Sequence, residues 1–222
     1  IGIALGYDKL AKYFEALEYF EKALQLQKKQ LNDEDIIIAN TLNSMANTYY
    51  SLNDNNKSLL YHKMALSIRK KFLGNYHIDT ASSYNDISLV YLNMGKPEKS
   101  IKLCEKAILI RTRELGYLHP KTAISYNNIA LAYDEVGLFD EALEYHQKAL
   151  NIRLKVLEEK HPDVATNYHN IGYVLYNKNN YKSALLNFKK AYKISIEVLK
   201  ENHPYTIETK EYIEKCIEKL DD

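Results

Sequence analysis

Apolar residues recur along this chain at steps of three and four, the spacing of one face of an α-helix. The pattern is clearest between Ala123 and Tyr133, breaks at Val136–Leu138 and resumes from Phe139 to Ile152. Glycine or asparagine residues mark similar breaks elsewhere, and both tolerate the backbone that ends a helix. No stretch alternates apolar and polar residues as a half-buried strand would. The pattern therefore predicts helix pairs joined by short turns.

The helix pairs repeat with a period of 42 residues. This period separates His77, His119, His161 and His203, and one further step back reaches Asp35. Because one helix pair cannot bury its apolar stripe alone, neighbouring pairs must stack. We therefore predict an all-α fold, a right-handed superhelical α-solenoid of antiparallel helix pairs that forms one domain. Its predicted parts are a truncated repeat at 1–34, full repeats at 35–76, 77–118, 119–160 and 161–202, and a C-terminal capping helix at 203–222.

Small residues occupy matching positions in the helix pairs, with Ala130 or Gly172 on the first helix and Ala142 or Ala184 on the second. Small residues let paired helices approach closely, while larger neighbours fill the remaining space. Together with aromatic positions such as Tyr133, this pattern resembles the tetratricopeptide repeat. The period is longer than the ~34 residues usual in that family, and the long second helices are similar to those of kinesin light chains.

The resemblance implies a protein-interaction module that binds a peptide or a partner protein in its concave groove, within a larger adaptor or scaffold protein. An alternative is a regulatory or oligomerising solenoid that packs against an effector or enzymatic domain outside this chain. The chain starts without an initiator Met or a basic leader, which also leads us to expect a piece of a longer protein. We predict no enzyme and no cofactor, because neither a Gly-rich phosphate loop nor a paired-carboxylate motif is present.

Charge and cysteine content narrow the choice of partner. The 222 residues include 30 Lys and Arg against 29 Asp and Glu, so the basic surface typical of nucleic-acid or anionic-membrane binding is missing. No apolar run reaches the roughly 18 residues of a membrane span. Cys104 and Cys216 lie far apart with no metal-ligand spacing, which favours a reducing, cytoplasmic compartment. We therefore expect a protein or peptide partner, and neither nucleic acid nor a membrane.

The regularly spaced histidines have two possible explanations, a metal or proton relay and a set of helix caps. One histidine per repeat places successive rings too far apart to share an ion, since zinc–nitrogen bonds are about 2 Å long. A histidine followed by Pro120, Pro162 or Pro204 instead matches the start of a helix, where proline loses no hydrogen bond. We therefore predict that the histidines, and Asp35 in the same position, are caps and that the chain has no metal site.

Two further sets of residues recur on the second helices. Arg69, Arg111 and Arg153 form one ladder, which we predict to bond adjacent repeats or helix ends rather than a ligand. The other set consists of His62, Cys104 and His146, which take the place of Phe20 and Phe188 in other repeats. We predict that these three side chains pack rather than catalyse.

A polar ladder on the first helices is not explained by packing. By resemblance to tetratricopeptide arrays, we assign peptide binding in the concave groove to this ladder and to the larger residues one turn further on. An amide side chain suits this role, because it offers a donor and an acceptor to an extended backbone. The predicted peptide-binding residues are Asn43, Asn47, Asn85, Asp86, Leu89, Asn127, Asn128, Leu131, His169, Asn170 and Tyr173.

The alternative for this ladder is a polar spine, in which the same side chains bond one another from repeat to repeat. The other inward positions carry a few acids and almost no Lys or Arg. We therefore expect an extended, neutral-to-basic peptide as the ligand of the groove.

Overall fold

The computed structural model describes residues 1–32 and 35–221, and within these residues the chain forms eleven α-helices and no strand. The all-α prediction is confirmed. Two parts of the predicted organisation lie outside the described residues. They are the end of the truncated repeat at 34 and the last residue of the capping helix, 222. The helices are α1 (Gly2–Lys9), α2 (Tyr13–Gln30), α3 (Ile36–Ser51), α4 (Asn55–Leu73), α5 (Ile78–Asn93), α6 (Pro97–Leu115), α7 (Pro120–Glu135), α8 (Phe139–Val156), α9 (Pro162–Asn177), α10 (Tyr181–Val198) and α11 (Pro204–Asp221).

The chain forms two compact units, Ile1–Ile110 and Arg111–Asp222. The first unit contains α1 to α5 and most of α6, and the second contains the end of α6 and α7 to α11. Within each unit, helices that follow one another in sequence pack together: α3 packs on α4, α7 on α8, and α9 on both α8 and α10. We call the odd-numbered members α3 to α11 the first helices and their even-numbered partners the second helices.

The predicted caps at the first helices are confirmed. Nδ1 of His77, His119 and His161 accepts a hydrogen bond from the backbone N–H two residues further on, each at 3.1 Å. His203 does the same at 3.2 Å, and Oδ1 of Asp35 accepts from Ile37 at 2.8 Å. These side chains satisfy a backbone donor that the helix itself leaves unpaired.

The turns between first and second helices share one unusual backbone conformation. A positive φ occurs at Asn53, Gly95, Gly137 and Asn179, with values of 59°, 65°, 76° and 59°. These positions are one repeat apart, and Ala11 continues the series with a φ of 55°. Glycine and asparagine tolerate this left-handed region better than other residues do. Their recurrence therefore explains why each helix pair turns at the same place.

Close packing between the two helices of a pair relies on matched small and large residues. A Cβ atom added to Gly172 would lie 3.0 Å from the ring of Phe188, so an alanine there would require the ring to move by a few tenths of an ångström. At the same position of another repeat, Cys104 Sγ donates to Ser88 Oγ at 3.2 Å. The predicted packing role of His62, Cys104 and His146 is confirmed, since all three are fully buried.

Candidate functional site

The arginine ladder bonds the second helices α4, α6 and α8 to the first helix that follows each of them. In the second unit, Arg153 Nη1 donates to the Asp163 carbonyl at 2.9 Å and to Asn167 Oδ1 at 2.6 Å. Arg111 Nη1 donates at 2.7 Å both to the Lys121 carbonyl and to the hydroxyl of Ser125. The predicted bonding between adjacent repeats is therefore confirmed for these guanidinium groups.

In the first unit, one arginine connects three helices. Arg69 on α4 donates to Asn40 Oδ1 on α3 at 3.0 Å and to Ser83 Oγ on α5 at 2.7 Å. It also lies 3.4 Å from Asn43 Oδ1, which is 3.1 Å from His62 Nδ1. Asn43 thus belongs to an internal polar cluster around a buried guanidinium group.

The polar ladder of the second unit bonds from one first helix to the next. Asn127 Oδ1 on α7 accepts from Asn167 at 3.3 Å and from Asn170 at 3.1 Å, both on α9. His169 Nδ1 on α9 lies 2.9 Å from Thr209 Oγ1 on α11. These bonds match the polar spine that the sequence left open as an alternative. The spine also includes Asn167 and Thr209, which the sequence-based assignment missed because the residue types at their repeat position vary.

The predicted peptide-binding residues differ in how much of each side chain is accessible. Asn85, Asn127, Asn128 and His169 are buried, and Asn127 and Asn128 are only 9% and 5% exposed. Asn128 Nδ2 is also buried and has no hydrogen-bond partner among the described residues. Asn47 and Tyr173 are exposed, and the half-buried members are Asn43, Asp86, Leu89, Leu131 and Asn170.

One face of each first helix, which we call the inner stripe, contains positions separated by four, three and four residues. Such positions lie within about 60° of one another around a helix axis. On α7 and α9 the stripe combines apolar, aromatic and amide groups with one carboxylate and no Lys or Arg. Its members there are Ile124, Asn128, Leu131, Glu135, Thr166, Asn170, Tyr173 and Asn177.

Ile124 is a member of this stripe that the sequence-based assignment missed. Its side chain is 40% exposed, close to the 37% of Tyr173. The position one repeat earlier is occupied by Ser82 and the one before that by Asn40. The signal available in the sequence was an apolar residue at a position where other repeats have polar residues.

Aromatic rings surround the end of the stripe on α9. The ring centroid of Tyr173 lies 5.5 Å from that of Tyr212 on α11, and the two planes meet at 84°. Tyr176 contacts both Tyr212 and Tyr181 edge to face. Edge-to-face pairs are a favoured arrangement of aromatic side chains, so Tyr173 extends from a preorganised cluster.

The acidic groups next to the stripe lie on α7. Asp134 is half-buried, and burial raises the pKa of its carboxyl, while a hydrogen bond from Asn177 opposes that shift. Glu135 is exposed. This end of α7 therefore places carboxylates beside apolar contact groups, which suits a neutral or basic ligand more than an acidic one.

The described residues contain neither a cluster of metal ligands nor a helix that could cross a membrane. No group of three His, Cys, Asp or Glu side chains there is arranged to hold a metal ion. None of the helices in residues 1–32 and 35–221 has the length and apolar character to cross a membrane.

Stacked helix pairs with caps, left-handed turns and inter-repeat polar bonds define an α-helical repeat scaffold. The tetratricopeptide repeat family model matches residues 2–71, 79–155 and 135–197, so the chain belongs to the tetratricopeptide repeat family. Tetratricopeptide repeats form a non-catalytic scaffold for protein–protein interaction, and this chain is accordingly a protein-interaction module in that general sense.

Three solved structures with a similar fold share little sequence with the chain. TPR-like repeats of a candidate kinesin light chain from Podosopora anserina align with a TM-score of 0.72 at 21% identity, over 88% of this chain and 93% of that one. BtubC (BKLC) from P. vanneervenii aligns with a TM-score of 0.76 at 20% identity, over 90% and 80% of the two chains. The apo form of RapI aligns with a TM-score of 0.80 at 18% identity, over 98% and 80%. Comparison with curated protein sequences gives no significant match.

Proposed function

We propose that this chain binds an extended segment of a partner protein along the inner stripe of α7 and α9, as the interaction module of a larger adaptor or scaffold protein. The observation that carries this proposal is the exposure of Tyr173 and Ile124 on a stripe whose other members are Leu131, amides, a threonine and a carboxylate. Exposed aromatic and apolar groups within a polar surround are the usual anchors of a protein interface.

The buried amides support the surface from behind. Asn127 accepts from Asn170 and Asn167 and thereby holds α9 against α7. The contact with an extended ligand falls to Leu131, Tyr173 and Asn170, while Asn127 and His169 orient the helices that carry them. Asn170 uses its Nδ2 for the bond to Asn127, and its Oδ1 then faces the ligand as an acceptor for a peptide N–H.

The preferred ligand is neutral to basic and carries at least one apolar side chain. Glu135 and Asp134 give this surface a negative character, and the stripe on α7 and α9 has no basic residue to pair with an acidic ligand. Because contacts are mainly neutral hydrogen bonds and apolar burial, salt should weaken binding only slightly at ionic strengths that screen ion pairs.

Selection from a displayed peptide library with the whole chain supplies the ligand for a test. The affinity of the selected peptide should fall about tenfold or more in Tyr173→Ala and in Leu131→Ala, as for central interface residues. The matched control is Tyr117→Ala, which removes an exposed tyrosine from the turn before α7. Enrichment of acidic peptides, or equal affinity in all three variants, would show that the inner stripe is not the binding surface.

A comparison of two neighbouring amides separates contact from support. Asn127→Ala should lower the free energy of unfolding, because it leaves the amides of Asn167 and Asn170 without their acceptor. Asn128→Ala should not, since Asn128 Nδ2 has no partner to lose among the described residues. Loss of binding in Asn127→Ala alone is the result expected if the buried amides support the surface from behind, whereas loss of binding in Asn128→Ala with unchanged stability would show that Asn128 contacts the ligand.

A further inference from the structure

A cavity, which we call the lysine cavity, lies on the opposite side of α9 from the inner stripe. Its volume is about 280 Å³, and Tyr168 of α9 and Ile194 of α10 form part of its wall. Tyr168 precedes Asn170 by two residues, which is about 200° around a helix axis. The remaining lining residues are Glu159, Lys160, Lys190, Lys193 and Glu197.

The three lysine ammonium groups at this cavity differ in whether they form an ion pair with a carboxylate. Lys160 Nζ lies 2.7 Å from Glu197 Oε2 and forms an ion pair with it. Lys190 Nζ lies 5.1 Å from the centroid of the Tyr168 ring. Neither Lys190 nor Lys193 forms a salt bridge with the residues that the structure describes. Lys190 and Lys193 therefore flank the cavity without a carboxylate at salt-bridge distance, although the charge of Lys193 helps to lower the pKa of Glu197 after the larger effect of Lys160.

The repeat provides an internal comparison for these charges. One period earlier, Asn151 stands in the place of Lys193 and Leu118 in the place of Lys160. The apolar wall is retained, since Ile152 corresponds to Ile194. The lysines at 160 and 193 are therefore particular to this repeat, whereas Lys190 recurs as Lys148 and Lys106, each over the tyrosine of its own repeat.

We propose that this cavity binds the carboxylate of an acidic side chain, Asp or Glu, from a partner protein. The carboxylate lies between Lys190 and Lys193, and the methylene groups of that side chain pack on Tyr168 and Ile194. This site is separate from the inner stripe and takes a ligand group of opposite charge.

The size and net charge of the cavity favour a single carboxylate. Small-molecule pockets usually enclose about 300–1,000 Å³, and this cavity lies just below that range. Three lysines and two glutamates leave a net charge of one positive unit, which a monoanion neutralises. A phosphoryl group carries about two negative charges and would be repelled by Glu159 and Glu197.

The test is a nuclear magnetic resonance titration of the whole chain labelled at the isoleucine δ1 methyl groups. The probe is N-acetyl-glutamate N-methylamide, its uncharged isostere is the glutamine compound, and inorganic phosphate is the third arm. The Ile194 signal should shift and saturate with the glutamate probe at a Kd of about 1–10 mM. The glutamine compound should produce no saturable shift.

Four variants assign the effect to the lysines. Lys190→Gln and Lys193→Asn should each weaken the glutamate probe by about fivefold, the effect of one exposed ion pair. Lys189→Gln removes a neighbouring exposed charge outside the cavity and should change nothing. Glu197→Gln should strengthen binding several-fold, because it releases Lys160 from its ion pair, and a gain of affinity cannot result from misfolding.

The result of this titration is independent of the peptide-binding test of the inner stripe. Tyr173→Ala should leave this titration unchanged, so the two sites can fail independently. Absence of a saturable Ile194 shift, an equal response to the glutamine compound, or no change in any lysine variant would overturn the proposal. A tighter response to phosphate than to glutamate would overturn the choice of a carboxylate.

Discussion

His146 lies fully buried on α8, and neither of its ring nitrogens has a hydrogen-bond partner among the described residues. Burial, and then the positive charge of Arg153, lowers the pKa of this imidazole from 6.5 to about 3. Burial and Arg69 lower the pKa of His62 to about 4, and burial alone does the same for His169. All three histidines are therefore neutral in the folded protein at pH 7.

Neutral burial of these histidines makes the fold sensitive to acid. Below pH 6.5 the unfolded chain takes up protons on these rings that the folded chain does not accept, so the free energy of unfolding falls as the pH drops. The loss begins near pH 6.5 and continues towards the lowered pKa values, with a slope of about 1.4 kcal/mol per pH unit for each ring. Chemical denaturation between pH 7.5 and 4.5 measures the slope.

His146→Phe should stabilise the chain, because phenylalanine fills the same position at Phe20 and Phe188 and removes two unpaired buried nitrogens. We expect a gain of about 1–3 kcal/mol at pH 7 and a larger gain at pH 5, since one titrating ring is lost. The reciprocal control, Phe188→His, should destabilise the chain and steepen its acid dependence. Equal slopes for the wild type and His146→Phe would show that His146 is not the source of acid sensitivity.

At the scale of the helix, the arginine ladder determines how one helix pair meets the next. Arg153→Met keeps the aliphatic volume but leaves the Asp163 carbonyl and Asn167 Oδ1 without their donor. Each charge-assisted bond lost should cost about 1.5–3 kcal/mol. Hydrogen exchange should show the first turns of α9 opening more readily, while α3 and α4 of the other unit keep wild-type protection.

The last repeat contains a natural alternative to this bond. Ser195 occupies the arginine position there, and Thr209 bonds with His169 Nδ1 and the Tyr205 carbonyl. Arg153→Ser combined with Asn167→Thr should therefore recover part of the stability lost in Arg153→Ser alone. Equal stability of the single and double variants would mean that the acceptor on α9 does not matter.

At the scale of the whole chain, the sequence predicts a single domain over residues 1–222, whereas the structure contains two compact units whose boundary falls within α6. The two descriptions lead to different expectations for unfolding. Repeat arrays unfold together when coupling between neighbouring repeats is strong. We expect one transition in guanidinium chloride, with helix loss by circular dichroism and tyrosine fluorescence following the same curve. Two transitions, with exchange protection lost first in residues 1–110 or 111–222, would mean that the chain behaves as two domains.

Local sequence determined much of this protein. The helix pairs, the caps at His161 and its equivalents, and the turns at Gly137 and Asn179 depend on contacts within a few residues, so spacing and residue type suffice to predict them. The 42-residue period made these assignments mutually consistent, since each was repeated. The family and the all-α class followed from the same local signals.

Only the tertiary structure decided which polar residues are accessible. Asn127 and Asn170 have the same residue type and neighbouring ladder positions, yet Asn127 is buried as an acceptor and Asn170 is half-buried as its donor. The lysines of the lysine cavity are brought together from the α8–α9 turn and from α10. Side-chain direction and burial depend on partners about 40 residues away. Spacing along one helix therefore contains no information about which amide of the ladder is buried against such a partner.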